Sequence, residues 1–208
     1  MLPQQTACEA CGFSAALLHH YLGNQWVRLD RITDAARCLR LEELRGVEIV
    51  LDHFEHCFPQ AFFAVYLGVL PNNLGPRELG FWLLNQGAFN TQSIGRRNDF
   101  GVILVIDPSA KVASLSLGYA VEHCFKAKQI TKLLGKAAHH LSRGAFGPAI
   151  ETACHDCAQV LRHHARSACW IPEASPDNTL QAGMSFQPLR EGTKAASRPL
   201  AGFHFRQP

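Results

Sequence analysis

The chain has 208 residues, 47% of them hydrophobic, and a formal net charge of +3. That is long and apolar enough to bury one core, and too near neutrality for the electrostatic footprint of a nucleic-acid binder, so no nucleic-acid partner is expected. The longest apolar run, Ala61 to Leu70, is about half of the ~20 residues a membrane-spanning helix requires, so no membrane span is expected either.

The opening "MLPQQTACEACGF" has neither a basic n-region nor an apolar h-region. The expectation is therefore a cytoplasmic protein, with its eight cysteines serving as core residues or metal ligands rather than disulfides. "CEACGFSAALLHHYLG" (8–23) begins with a Cys-x-x-Cys-Gly knuckle. Two thiolates at that spacing grip one zinc ion, and Gly12 permits the tight turn. One pair is half of a tetrahedral site, and no apolar period explains Cys8 and Cys11 otherwise. They are candidate zinc ligands, to be completed by His19 and His20, by Cys38, or by a second chain. The other reading is a pair that holds nothing.

"QWVRLDRITD" (25–34) alternates as a strand does. Leu44, Val47, Leu51, Phe54 and Phe58 recur at spacings of three and four, which predicts an amphipathic helix ended by Pro59. Gly46 weakens that helix by about 1 kcal/mol. "QAFFAVYLGVL" (60–70) reads as a strand buried on both faces. "GPRELGFWLLNQG" (75–87) is a helix between Pro76 and Gly87. "VILVI" (102–106) is a second buried strand, so strand, helix and strand predict a parallel crossover. After the "DPSA" turn, "VASLSL" (112–117) alternates: Ala113, Leu115 and Leu117 on one side, Ser114 and Ser116 on the other. That pattern predicts a half-exposed antiparallel strand.

Two helices follow, one marked by Ile130, Leu133, Leu134, Ala137 and Leu141, the other starting at Pro148. In the second, Ile150, Cys154, Cys157 and Leu161 share a face, which makes "CHDC" a pair of core cysteines rather than ligands. Cys38, Cys57, Cys124 and Cys169 stand alone and read as core or neutral surface. The pairs His19–His20, His139–His140 and His163–His164 read as solvated, because adjacent helical residues point about 100° apart. The expected organisation is an N-terminal knuckle segment (1–29), a domain over 30–167 and a flexible C-terminal tail (168–208). The expected fold class is α/β: an αβα sandwich whose small mixed sheet, a parallel crossover plus an antiparallel hairpin, is covered by helices.

In the hairpin, the start of one strand lies beside the end of the next. Asn98 and Asp99 should therefore meet Gly118, Tyr119 and Glu122. Carboxylates and amide oxygens beside a glycine suit a hard cation such as calcium, or acid–base work. The plain alternative is a turn, since Asn, Asp and Gly are ordinary turn formers.

The order of "FPQ", "ELGFWLLN", "NDFGVILVIDP" and "LSLGYAVE" resembles the TPM domain family, named for thylakoid, photosystem II assembly and nematode receptor-associated members. The likeness covers about 30–165 and rests on Ile32-Thr33-Asp34, Asn98-Asp99-Phe100-Gly101 and Gly118-Tyr119-Ala120-Val121-Glu122. It implies an αβα sandwich with an acidic, calcium-type pocket formed by Asp34, Asn98, Asp99 and Glu122. It also implies either an assembly-type binding module or an acid phosphatase-like hydrolase. Usual members are exported or anchored and lack the knuckle and the tail, which could here recruit a protein partner. No cysteine has an arginine six positions later, and no DxD pair offers an aspartyl nucleophile. Hydrolysis would thus need a divalent metal to attract phosphate to a carboxylate pocket. The reading taken forward is a binding or assembly module.

Overall fold

The two most continuous apolar runs become the two central strands. In the computed structural model, which describes residues 15–71, 73–90, 98–169 and 202–204, these are β3 (Phe62–Leu67) and β5 (Gly101–Asp107). They pair in parallel, Phe62 opposite Gly101 through Leu67 opposite Ile106. β2 (Ile32–Asp34) adds in parallel to the outer side of β3. β6 (Val112–Leu117) returns antiparallel to β5, Val102 opposite Leu117. A three-residue strand from within the expected tail, β7 (Gly202–His204), closes the order β2-β3-β5-β6-β7. β1 (Val27–Asp30) leaves this sheet and pairs with β4 (Gly87–Asn90), so the alternating stretch 25–34 splits between two sheets.

Alternate residues of the central strands face two helical layers, as a period of two dictates. Phe63, Val65, Leu67, Val102, Leu104 and Ile106 pack with α2 (Leu41–Cys57), α5 (Ala127–Leu141) and α6 (Phe146–Cys169). Phe62, Ala64, Ile103 and Val105 pack on the other side with α1 (Ala15–Leu22) and α3 (Pro76–Gln86). This is the αβα sandwich expected. Cys154 and Cys157 are fully buried on α6, as their periodicity predicts, and burial pushes the Cys154 thiol up to about 12.

The half-exposed reading of β6 is corrected. Ser114 and Ser116 are completely buried, because α3 lies over the serine face. Gly80 lets α3 come that close: a Cβ there would collide with the Ser116 hydroxyl. Alternation reports polarity, not what covers it. Neither serine hydroxyl has a hydrogen-bond partner among the described residues.

The break between β1 and β2 is occupied by Arg31. Its guanidinium donates to Asp52 at 2.7 Å and to the buried Glu55 at 3.0 Å, both on α2. Burial acts to lower the Arg31 pKa, but the hydrogen bonds and charges of Asp52 and Glu55 outweigh it and hold the pKa above the ordinary value. A buried carboxylate persists only when paired. This pair ties the sheet edge to the helical layer.

Candidate functional site

The parallel register decides which candidate residues share a site. β5 rises about 20 Å from Gly101 to Asp107 at ~3.3 Å per residue, so the two ends of the sheet are separate surfaces. Asp34 pairs with Leu67, which pairs with Ile106; it therefore lies at the carboxyl end. There its Oδ1 accepts from the backbone N–H of Cys38 at 3.0 Å and its Oδ2 from that of Leu39 at 2.8 Å. Asp107, at the same end, accepts from the N–H groups of Leu70, Ser109 and Ala110. Both carboxylates close loops.

Asn98, Asp99 and Glu122 lie at the opposite, amino end of β5. A 3₁₀ turn, Asn98–Phe100, leads into the strand, and the Asn98 side-chain amide donates to the carbonyl of Gly87 at 2.6 Å. Gly118 donates its N–H to the carbonyl of Gly101 at 2.7 Å. A Cβ on Gly118 would strike the backbone carbonyls of Asn98 and Asp99, so only glycine allows the two segments to touch here. The chain then forms the short helix α4 (Tyr119–Glu122), with Tyr119 82% exposed and Glu122 exposed. The structure thus brings three of the four acidic-pocket candidates to one edge. Asp34 is separated from them by the length of the sheet, because strand direction places the end of β2 beside the end of β5, not its start.

Cys8 and Cys11 lie outside the described residues. Of the residues expected to complete their site, His19 and His20 are exposed on α1, on the α3 side of the sheet. Cys38 packs against the α2–α5–α6 core on the other side. The sheet lies between them.

A different set of ligand atoms comes together just beyond α4. His123, Cys124 and His164 place one ligand atom each within 4.8 Å of the others, and they are the one group of three or more His, Cys, Asp or Glu side chains so placed among the described residues. His123 Nε2 is 3.5 Å from Cys124 Sγ. The His123 and His164 rings meet edge to face, with centroids 5.1 Å apart and planes at 78°. The buried residues Val121 and Phe125 bracket the short segment, and the Cys124 N–H donates to the Val121 carbonyl at 3.0 Å. Burial raises the Cys124 thiol pKa. The sequence reading passed over this group: Cys124 stood alone and His164 belonged to a pair read as solvated. The available signal was that His164 falls three residues after Leu161 and seven after Cys157, on the buried stripe of α6.

A second cysteine–histidine contact provides a control. On α2, His53 Nε2 is 3.5 Å from Cys57 Sγ, one helical turn apart. Here the third group is the Arg162 guanidinium, 3.3 Å from Cys57 Sγ and 3.5 Å from His53 Nε2. A permanent cation in that position repels a metal ion.

No protein-family model and no curated protein matches the sequence. Among solved structures, the N-terminal domain of a protein from P. gingivalis matches with a TM-score of 0.53 at 17% identity, covering 65% of this chain and 84% of that one. The N-terminal domain of the cg2496 protein from Corynebacterium glutamicum matches with a TM-score of 0.48 at 12% identity, covering 76% of this chain and 90% of that one. The P. gingivalis likeness shows a shared αβα fold. At that identity it carries fold alone. Among the described residues no helix is long and apolar enough to cross a membrane.

Proposed function

We propose that this chain is a TPM-like binding module whose working surface is the amino end of β5, where Asn98, Asp99 and Glu122 hold a hard cation of the calcium type. The observation that carries this reading is the contact of the Asn98–Phe100 turn with Gly118, which sets three oxygen-bearing side chains on one edge beside an exposed tyrosine. Asn98 donates through its amide nitrogen, so the other polar atom of that side chain is a carbonyl oxygen, the donor a hard cation takes. Asp34 is not part of this set. Three side chains are few against the six to eight oxygens calcium prefers, so backbone carbonyls and water would supply the rest. The affinity expected is in the weak range, Kd about 10⁻⁴–10⁻³ M. The Cys8–Cys11 knuckle and the C-terminal segment would extend this role to a protein partner.

Hydrolysis has less support. The sequence offers no phosphocysteine loop and no DxD pair.

The test is thermal melting of the full chain with 10 mM calcium (about 10–100 times the expected Kd), alongside p-nitrophenyl phosphate hydrolysis with calcium, magnesium and zinc. The expected outcome is a stabilisation of about 1.4–2.7 kcal/mol, roughly 3–10 °C, lost in Asp99→Asn and Glu122→Gln, with no turnover. An unchanged melting temperature would reject the cation site. Metal-stimulated turnover lost in Asp99→Asn would reject the binding-module reading in favour of a hydrolase.

A further inference from the structure

We infer that His123, Cys124 and His164 form a binding site for a divalent transition metal of the zinc class, with one coordination position open to solvent or to an incoming ligand. This inference does not rest on the calcium reading, because it uses none of the same side chains.

The donor set selects the ion. Two imidazoles and a thiol, with no carboxylate among them, suit a borderline-soft ion and not calcium or magnesium. The spacing also suits it. Zinc bonds of about 2.05 Å to nitrogen and 2.3 Å to sulfur put tetrahedral N and S ligands about 3.6 Å apart. The His123 Nε2 to Cys124 Sγ distance is 3.5 Å. Two tetrahedral nitrogens would be about 3.3 Å apart. All three atoms already lie within 4.8 Å of one another, so each spacing is within about 1.5 Å of the tetrahedral value.

The backbone that carries these ligands is anchored in the core. Val121 and Phe125 anchor the α4 segment from both sides, while Leu161 and Cys157 anchor α6 beneath His164. Ligands carried on packed elements lose little freedom on binding. Cys124 and His164 are half-buried and His123 is exposed, so the ion would sit at the surface with its fourth position outward. Three protein ligands with an open fourth place is the arrangement of reactive or exchangeable zinc sites rather than closed structural ones. Binding would convert the Cys124 thiol to a thiolate and release its proton to solvent. The His53–Cys57 contact has the same sulfur–nitrogen distance but is capped by the Arg162 guanidinium, so the inference does not extend to it.

The knuckle could bind the same ion, so the test separates the two. Cobalt(II) is titrated into the full chain carrying Cys8→Ser and Cys11→Ser, and the thiolate-to-cobalt charge-transfer band is followed, with zinc added to compete. The expected result is one cobalt per chain, a band displaced by zinc but not by excess calcium, and complete loss of the band on adding Cys124→Ser. His164→Ala should weaken affinity at least about tenfold, since even outer-shell changes at metal sites cost that much. Cys57→Ser, with far-UV circular dichroism as a fold check, should leave the band intact. Absence of the band in the Cys8/Cys11 background would overturn the site. So would a band that survives Cys124→Ser or disappears with Cys57→Ser.

Discussion

The two ends of the central strands carry similar residue types put to different uses. At the carboxyl end, Asp34 and Asp107 turn their oxygens back on five backbone N–H groups and close the loops after β2, β3 and β5. At the amino end, a glycine contact brings two segments together, and Tyr119, Glu122 and His123 face outward from it. A carboxylate that satisfies buried donors has its lone pairs committed to folding; an exposed one, such as that of Glu122, can be offered to a ligand. An acidic residue at a strand end is therefore informative only when its hydrogen bonds are known.

That contrast can be broken by substitution. Asp107→Ala removes the acceptor of three N–H groups and should cost about 4 kcal/mol or more; Asp34→Ala removes that of two and should cost about 2 kcal/mol. Urea denaturation measures both, and losses below about 0.5 kcal/mol at the carboxyl end would contradict its structural role. Cysteine reactivity separates surface from interior in the same way. With burial holding Cys154 at about 12 and Cys157 also well above its ordinary value, few of these thiols are ionised at pH 8. Alkylation at Cys154 should be roughly a thousandfold slower than at an unperturbed thiol, read residue by residue by mass spectrometry. Labelling of Cys154 at the rate of an exposed cysteine would show that α6 does not pack as described.

Smaller effects sharpen the comparison. Ser116→Ala removes a buried hydroxyl with no partner among the described residues, beneath Gly80. It should leave stability unchanged or raise it by about 1 kcal/mol; a loss above that would mean the hydroxyl is hydrogen-bonded. Glu122→Gln, in the absence of calcium, should change stability by less than about 0.5 kcal/mol, as exposed positions do. A larger loss would place the Glu122 side chain with Asp34 and Asp107 as structural.

Much of the fold was legible because the governing residues are neighbours in sequence. The 60–70 and 102–106 runs, the three-four spacing from Leu44 to Phe58 and the Pro76–Gly87 brackets each report a local preference, and each became the expected element. What was illegible depended on distant residues. Ser114 and Ser116 are buried only because Gly80 lets α3 lie on them. β1 and β2 part at Arg31 because Asp52 and Glu55 wait on α2. β7 is three residues in a stretch without periodicity. The hairpin edge was legible for the same reason as the strands: a hairpin fixes its own neighbours. Asp34 could not be located without the strand order, and His123 and Cys124 meet His164 only through the packing of α6.

The most direct test of the division between the two ends is a calcium titration of the isotope-labelled full chain followed by amide chemical shifts. The account predicts that the shifts concentrate at 98–101 and 118–122, leaving 34–39 and 107–110 unmoved. Shifts centred on 34–39 and 107–110 would contradict it, and would assign the binding role to the end described here as structural.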